Sequence, residues 1–119
     1  MATIKSYTSL EQSKKLAEIL PLESADMHYI NDKHCGCVSY NEMINSNNPW
    51  LKGVKISPCW SLAALLEVLH FPSLHRTISG WRCDIYNDAG GSFILGKDMD
   101  NPVDACVETI LKFKEKNLL

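Results

Sequence analysis

The densest group of side chains able to bind a metal lies in one short segment and comprises His28, His34, Cys35 and Cys37. If Cys35, Gly36 and Cys37 are extended, both sulfurs project to one face of the strand, where a histidine nitrogen can join them around a zinc ion. The spacing, however, is Cys-x-Cys, shorter than in common zinc knuckles, and no second pair completes a tetrahedral set. We therefore expect reduced thiols in a turn, with no bound metal and no other cofactor.

Catalytic constellations are incomplete in this sequence. A Cys–His nucleophile needs a thiolate beside a base and an oxyanion site, and the chain has no recognisable nucleophile turn. Glu67 and Asp84 would form a carboxylate pair, but Arg82 is two residues from Asp84 on the same predicted strand face, which is typical of a surface ion pair. We accordingly expect no catalytic residues, and a hydrolase-like or metal-bearing domain is the third of three functional hypotheses.

Alternation along residues 81–86 indicates a candidate binding surface. One face of this strand carries Trp81, Cys83 and Ile85, and its neighbour adds either His75 and Thr77 or Arg76 to the opposite face. Arginine and aromatic residues are favoured at protein interfaces. The opposite face therefore holds the candidate binding residues, which are Arg82, Asp84, Tyr86 and His75. Two interpretations stay open: this face binds a protein, or it is only solvated.

An almost entirely apolar segment from Ser57 to Leu69 is expected to be the helix around which the chain packs. Ser57 is a good N-cap, and Pro58 suits the first helical position because that position needs no N–H group. A helix with so narrow a polar stripe must be covered on most sides. One sheet covers one side, so the closing helix, the N-terminal segment or a second copy of the chain must cover the rest.

Residues 1–56 are expected to form a helix-plus-hairpin extension. Thr8-Ser9-Leu10-Glu11 matches a capping box with Thr8 as N-cap and Glu11 at N3, and the helix that follows runs to about Leu20. Strands are predicted at 27–30 and 38–40, joined by the turn-rich segment 31–36.

The C-terminal half is expected to contain a three-stranded antiparallel meander. Its strands are predicted at 74–79, 81–86 and 92–96, with turns at 79–80 and 87–91. A closing helix at 102–116 begins with Asn101 as N-cap and Pro102 at N1. The predicted fold class is α+β: an αβββα core over 57–119 that, with the extension, forms a single domain of 119 residues.

Charge and composition argue against a nucleic-acid partner and against a membrane partner. The formal net charge is −2, and no apolar run approaches the roughly 20 residues needed to span a bilayer. Double-stranded RNA-binding domains share the αβββα order and grip phosphate with lysines where the second helix begins, but here Asp98, Asp100 and Asp104 would repel it. Five cysteines without an export signal indicate reduced thiols. We expect a cytoplasmic protein that does not bind a membrane.

Three segments, Pro58–Leu69, Gly80–Tyr86 and Asn101–Ile110, resemble small uncharacterised proteins of gut bacteria and their phages. Those proteins carry a similar Pro-x-Trp-Ser-Leu-x-Ala-Leu-Leu-Glu segment and end in an Asp-Asn-Pro-x-Asp-Ala helix. The layout is also similar to that of the phage ABA sandwich domain. The resemblance implies a mobile-element origin and a compact α+β fold, assigns no site residues, and leaves residues 1–56 outside it.

The leading functional hypothesis is a small non-enzymatic protein-binding or adaptor module of phage or mobile-element origin. Its expected partner is another protein, and a homo-oligomer would also cover the apolar helix. The alternative is a nucleic-acid-associated regulator.

Overall fold

A computed structural model describes residues 6–36, 38–46, 49, 52–69, 72–86 and 93–116. Over these residues the protein is α+β, which confirms the α+β class. Its helices are α1 (Leu10–Ala17), α2 (Tyr40–Ile44), α3 (Leu62–Val68) and α4 (Pro102–Glu115), with a short 3-10 turn at Leu22–Ser24. Its strands are β1 (Met27–Ile30), β2 (Lys33–Cys35), β3 (Ile56–Cys59), β4 (Pro72–Thr77), β5 (Gly80–Tyr86) and β6 (Phe93–Ile94).

The chain divides into two compact units, of which the first is Tyr7–Ala64 and the second contains Leu65–Leu119. The first unit holds an antiparallel sheet in the order β2-β1-β3, and the second holds an antiparallel sheet in the order β4-β5-β6. The single domain expected from the sequence stays a prediction.

In the first unit a two-residue turn closes the hairpin of β1 and β2. Asn31 and Asp32 both have positive φ, 48° and 68°, as a type I′ turn requires. The prediction of a strand at 38–40 is therefore wrong, because this tight turn pairs Lys33–Cys35 with β1 instead. Ser39 then becomes the N-cap of α2, where its hydroxyl accepts the Glu42 N–H at 3.2 Å.

The apolar segment does not begin its helix at Ser57, and that prediction is wrong. Residues 56–59 are strand β3, which pairs with β1 from Ile30↔Ile56 to Met27↔Cys59. Pro58 is tolerated there because β3 is an outer strand of its sheet. Pairing with β1 at these four positions outweighs the N-cap signal of Ser57, because intrinsic helix propensity is a weak preference that tertiary pairing readily reverses.

Helix α3 begins instead after Ser61, whose Oγ accepts the Ala64 N–H at 3.2 Å as an N-cap does. The Asp26 carboxylate accepts two hydrogen bonds from this serine, one from the Ser61 N–H at 2.9 Å and one from the Ser61 hydroxyl. Trp60 and Leu65 are fully buried. The strand end of the apolar segment is thus buried, whereas α3 is only partly buried, with Ala63 and Glu67 exposed and Leu62 and Leu66 half-buried.

The capping box of α1 lies one residue later than predicted. Ser9 is the N-cap and Gln12 is the N3 residue, with both reciprocal hydrogen bonds present. The Thr8 hydroxyl is not available for capping because it accepts the Trp60 N–H at 3.1 Å and shares a hydrogen bond of 2.7 Å with the Ser13 hydroxyl. The helix also ends at Ala17, three residues before the predicted end.

Thr8 is the centre of a buried polar cluster that joins α1 to β1 and β3. Its N–H donates to Trp60 O at 2.9 Å, and its carbonyl accepts the Tyr29 hydroxyl at 2.7 Å and the Cys59 thiol at 3.6 Å. Burial raises the pKa of the Tyr29 hydroxyl and that of the Cys59 thiol. Both groups therefore stay protonated and act as hydrogen-bond donors in the core.

Replacing Thr8 with valine is expected to lower the free energy of unfolding by about 2 kcal/mol, because the buried Trp60 N–H loses its acceptor at almost constant volume. Urea unfolding followed by circular dichroism measures this loss. Thr77→Val is the matched control: its hydroxyl donates to Asp98 at an exposed position, so the expected cost is below about 1 kcal/mol. Equal losses in the two variants would contradict the role given to Thr8.

In the second unit, β4 and β5 pair from Pro72↔Ile85 to Thr77↔Gly80, two residues earlier in β4 than predicted. The predicted turn 87–91 and Ser92 lie outside the described residues. Helix α4 begins at Pro102 as predicted, with the Asn101 side chain accepting the Asp104 N–H at 2.9 Å. It packs on β5, where the Thr109 hydroxyl donates to Cys83 O at 2.6 Å. The face of β5 away from α4 is consequently the face that carries the candidate binding residues.

Candidate functional site

Three of the four predicted binding residues lie together on this sheet. The register places His75 directly opposite Arg82, with Asp84 two residues further along β5. The Arg82 Nε atom is 3.3 Å from Asp84 Oδ1, and the His75 Nε2 atom is 3.7 Å from Asp84 Oδ2. We call His75, Arg82 and Asp84 the polar triplet. The side chain of Tyr86, the fourth candidate, lies outside what the structure describes.

Strand alternation predicted an exposed Asp84, but its side chain is only 3% exposed. Its two partners are half-buried, with 36% of the Arg82 side chain and 37% of the His75 side chain exposed. Burying a carboxylate costs much free energy unless the group is paired and hydrogen-bonded. Within the triplet, Asp84 therefore positions the other two side chains. Arg82 and His75 are the two members that a ligand can reach.

The Asp84 carboxylate also completes a β-bulge. Between the pair Ile85↔Ile94 and the bridge Trp81↔Met99, four residues, 95–98, lie opposite only three of β5. The extra residue leaves backbone groups outside the ladder. Asp84 Oδ1 accepts the Gly96 N–H at 2.7 Å, and Lys112 Nζ donates to Leu95 O at 2.9 Å. Gly96 lies within the strand predicted at 92–96, where a glycine can mark a bulge, but the sequence does not show which side chain accepts its N–H.

The Arg82 guanidinium is held by one edge. Its Nε atom is inaccessible to solvent and has no hydrogen-bond partner among the described residues, although it faces Asp84 Oδ1 as an ion pair. Since Nε is covered while a third of the side chain is exposed, the exposed area belongs to other atoms of Arg82. Guanidinium groups have five donors in a rigid fork, so pairing one edge with Asp84 leaves donors for another acceptor.

The structure places three of the four predicted metal-binding residues, His28, His34 and Cys35, on two different faces of the β1–β2 ladder. His28 and Cys35 are directly opposite each other in the β1–β2 ladder and share one face, whereas His34 is opposite Tyr29 and points to the other face. There its ring stacks on Tyr7 at a centroid distance of 3.6 Å. Burial and the charge that His28 can carry lower the pKa of His34, which favours its neutral form.

No group of three or more histidine, cysteine or acidic side chains in the described ranges is arranged to hold a metal ion, and Cys37 lies outside those ranges. Three thiols that the sequence assigned to the core, those of Cys59, Cys83 and Cys106, are fully buried. Cys83 and Cys106 hydrogen-bond each other between β5 and α4, and this contact raises the pKa of the Cys106 thiol.

Within the described part of the chain, no helix has the length and apolar character that crossing a membrane requires. A comparison with known proteins found no family model, no curated protein and no solved structure that matches this chain.

Proposed function

We propose that the protein is a small non-enzymatic protein-binding or adaptor module of phage or mobile-element origin, and that a partner protein contacts Arg82 and His75 on the β4–β5 sheet. The proposal includes the αβββα arrangement, which the order α3, β4, β5, β6, α4 supports. It also includes a cytoplasmic location. The resemblance to small phage and gut-bacterial proteins supports the origin.

The observation that carries the proposal is the support of Arg82 by a buried carboxylate. Free arginine side chains lose considerable rotamer entropy when they bind, and a guanidinium already paired with a buried carboxylate loses less. Arginine is also among the residues that contribute most to binding energy at protein interfaces. A half-exposed, pre-oriented Arg82 is therefore better suited to recognition than a freely moving surface arginine.

The surroundings of the polar triplet also favour a protein partner. Strand β4 is an outer strand in the order of its sheet, so a strand of a partner can pair with its open edge. Ile78, in the turn between β4 and β5, is fully exposed, and the Leu95 side chain is half exposed. These exposed side chains add apolar area to the same unit, of the kind found in interface cores.

The nucleic-acid alternative is less favoured by the charges of the same unit. Asp98 and Asp100 are exposed just before α4, and Asp104 lies in its first turn. These carboxylates oppose a phosphate backbone, because phosphate contacts need lysine or arginine. Retention on nucleic acid that decreases with salt would support this alternative over the protein-binding module.

The test compares Arg82→Ala with Arg76→Ala in the full-length protein. Arg76 is exposed on the same strand pair, but it is opposite Trp81 in the register and so lies on the other face. Proteins captured from host lysate by the wild-type chain are identified, and each purified partner is titrated against the variants. We expect Arg82→Ala to weaken binding at least about tenfold. Arg76→Ala should stay within about twofold of the wild type.

Arg82→Lys separates binding from stability, because it keeps a positive charge beside Asp84 while it removes the planar fork. We expect this variant to melt close to the wild-type temperature and to bind as weakly as Arg82→Ala. Unchanged binding in Arg82→Ala, or equal losses in Arg76→Ala and Arg82→Ala, would contradict the proposed surface.

A further inference from the structure

His28 has an unpaired nitrogen inside the first unit. The side chain is fully buried, and its Nδ1 atom lies 2.7 Å from the carbonyl oxygen of Val38. A carbonyl only accepts hydrogen bonds, so Nδ1 carries a proton, and in the neutral ring Nε2 then has a free lone pair. Nε2 is inaccessible to solvent and has no hydrogen-bond partner among the residues that the structure describes. Buried polar atoms are almost always paired, so this one requires an explanation.

The nearest residue in the ladder with a soft donor is Cys35. It is paired directly with His28 in the β1–β2 register, so both side chains leave the sheet on the same face with Cβ atoms about 5 Å apart. Cys35 is a free, half-buried thiol, which leaves the pair a route to solvent. His34 does not contribute, because it lies on the opposite face with its Nε2 atom 3.3 Å from Met27 Sδ.

We propose that His28 Nε2 and Cys35 Sγ together bind one copper(I) ion. Thiolate and imidazole donors suit this soft cation, which accepts two ligands, whereas structural zinc takes four. The hydrogen bond from His28 Nδ1 to a backbone carbonyl is the arrangement by which proteins orient a metal-binding imidazole. On binding, the Cys35 thiol releases its proton to solvent and its sulfur bonds the ion, while His28 keeps the proton on Nδ1.

The other described thiols compete poorly for the ion. Cys59 is fully buried and donates its hydrogen bond to Thr8 O, and Cys83 and Cys106 are fully buried against each other. None of these three is paired in a strand ladder with a histidine. Cys35 combines partial exposure with a histidine lone pair across the ladder, which is the basis for assigning the ion to it.

The test is an anaerobic titration of the reduced full-length protein with copper(I) in the presence of a chromogenic copper(I) chelator, together with ¹⁵N spectra of the imidazole rings. We expect one ion per chain, a shift of the His28 Nε2 resonance, and a retained Nδ1–H signal. Cys35→Ser should lower the affinity at least about 100-fold, which exceeds the usual effect of losing a residue that only orients a ligand. His34→Gln, the matched control, should change it less than about threefold.

His28→Gln could reduce stability because the ring is buried, so the spectra of the wild-type protein carry the assignment to His28. Copper bound with equal affinity by the wild type and Cys35→Ser would overturn the proposal. So would copper that binds without moving the His28 resonances, which would place the ion on other thiols, and so would the absence of binding.

Discussion

Gly80→Ala is expected to lower the free energy of unfolding by about 3 kcal/mol. Gly80 has φ of +138°, a conformation that residues with a side chain rarely adopt, and a Cβ atom there would overlap the carbonyl oxygen of Met99. That carbonyl accepts the Trp81 N–H at 2.7 Å, and the Met99 N–H donates back to Trp81 O at 2.8 Å. The substitution therefore adds backbone strain and also disturbs two hydrogen bonds.

Gly53→Ala separates the two contributions. Gly53 also has a positive φ, +80°, but a Cβ atom there would have no atom within 4 Å. Gly53→Ala should lower the free energy of unfolding by about 1 kcal/mol, from backbone strain alone. Both values come from urea unfolding, with hydrogen exchange at the Trp81 and Met99 amides as a local measure. If the two variants lose the same stability and both amides stay protected, the close approach at Met99 is not a constraint.

Asp84→Ala is the second substitution with a large expected effect, also about 3 kcal/mol. It removes the acceptor of the Gly96 N–H at the bulge and the negative charge that faces the covered Arg82 Nε. Removing one partner of a buried ion pair costs about 3–5 kcal/mol, and the lower value applies here because Arg82 and His75 are partly exposed. The change is measured as the shift of the urea midpoint at constant slope.

Asp84→Asn and Asp98→Ala are the controls for this prediction. The amide oxygen of asparagine can still accept the Gly96 N–H, so Asp84→Asn should lose about 1 kcal/mol less than Asp84→Ala. Asp98 is exposed and accepts the Thr77 hydroxyl at the surface, so its removal should cost less than about 1 kcal/mol. A loss in Asp84→Ala as small as in Asp98→Ala would show that the triplet is a surface ion pair.

The proposed binding surface predicts that stability and affinity for a partner are separable at the polar triplet. Asp84 is buried and supports the bulge and the guanidinium, whereas Arg82 and His75 provide the exposed area. Variants of Asp84 should therefore reduce both the stability and the affinity for a partner. Arg82→Lys should reduce affinity alone. This difference is what a binding surface predicts and what a merely solvated sheet face does not.

Several elements could be predicted from the sequence because their local and tertiary signals agree. Helix α4 has an N-cap, a proline at N1 and an apolar stripe whose members Val103, Cys106 and Ile110 are fully buried. Strand β5 has an alternating pattern, and Cys83 and Ile85 are indeed buried. In each case the period of the side chains and the required burial specify the same structure.

Elsewhere neighbouring residues carry equivalent local signals, and only contacts between distant residues select one of them. Thr8 and Ser9 are both good N-caps, but Thr8 is occupied by Trp60, which is distant in sequence, and Ser9 caps the helix. Likewise Ser57 and Ser61 can both precede a helix, and the pairing of 56–59 with β1 selects Ser61.

The amino-acid sequence by itself determined the α+β class, the closing helix and the alternation that marks one sheet face, because these follow from periodicity and capping. Only the tertiary structure decided that Asp84 is buried beside Arg82, since the extra residue opposite β5 depends on how distant segments pair. It also decided that His28 shares a face with Cys35 and not with His34. That arrangement follows from strand register, which moves each side chain to the other face when it shifts by one residue.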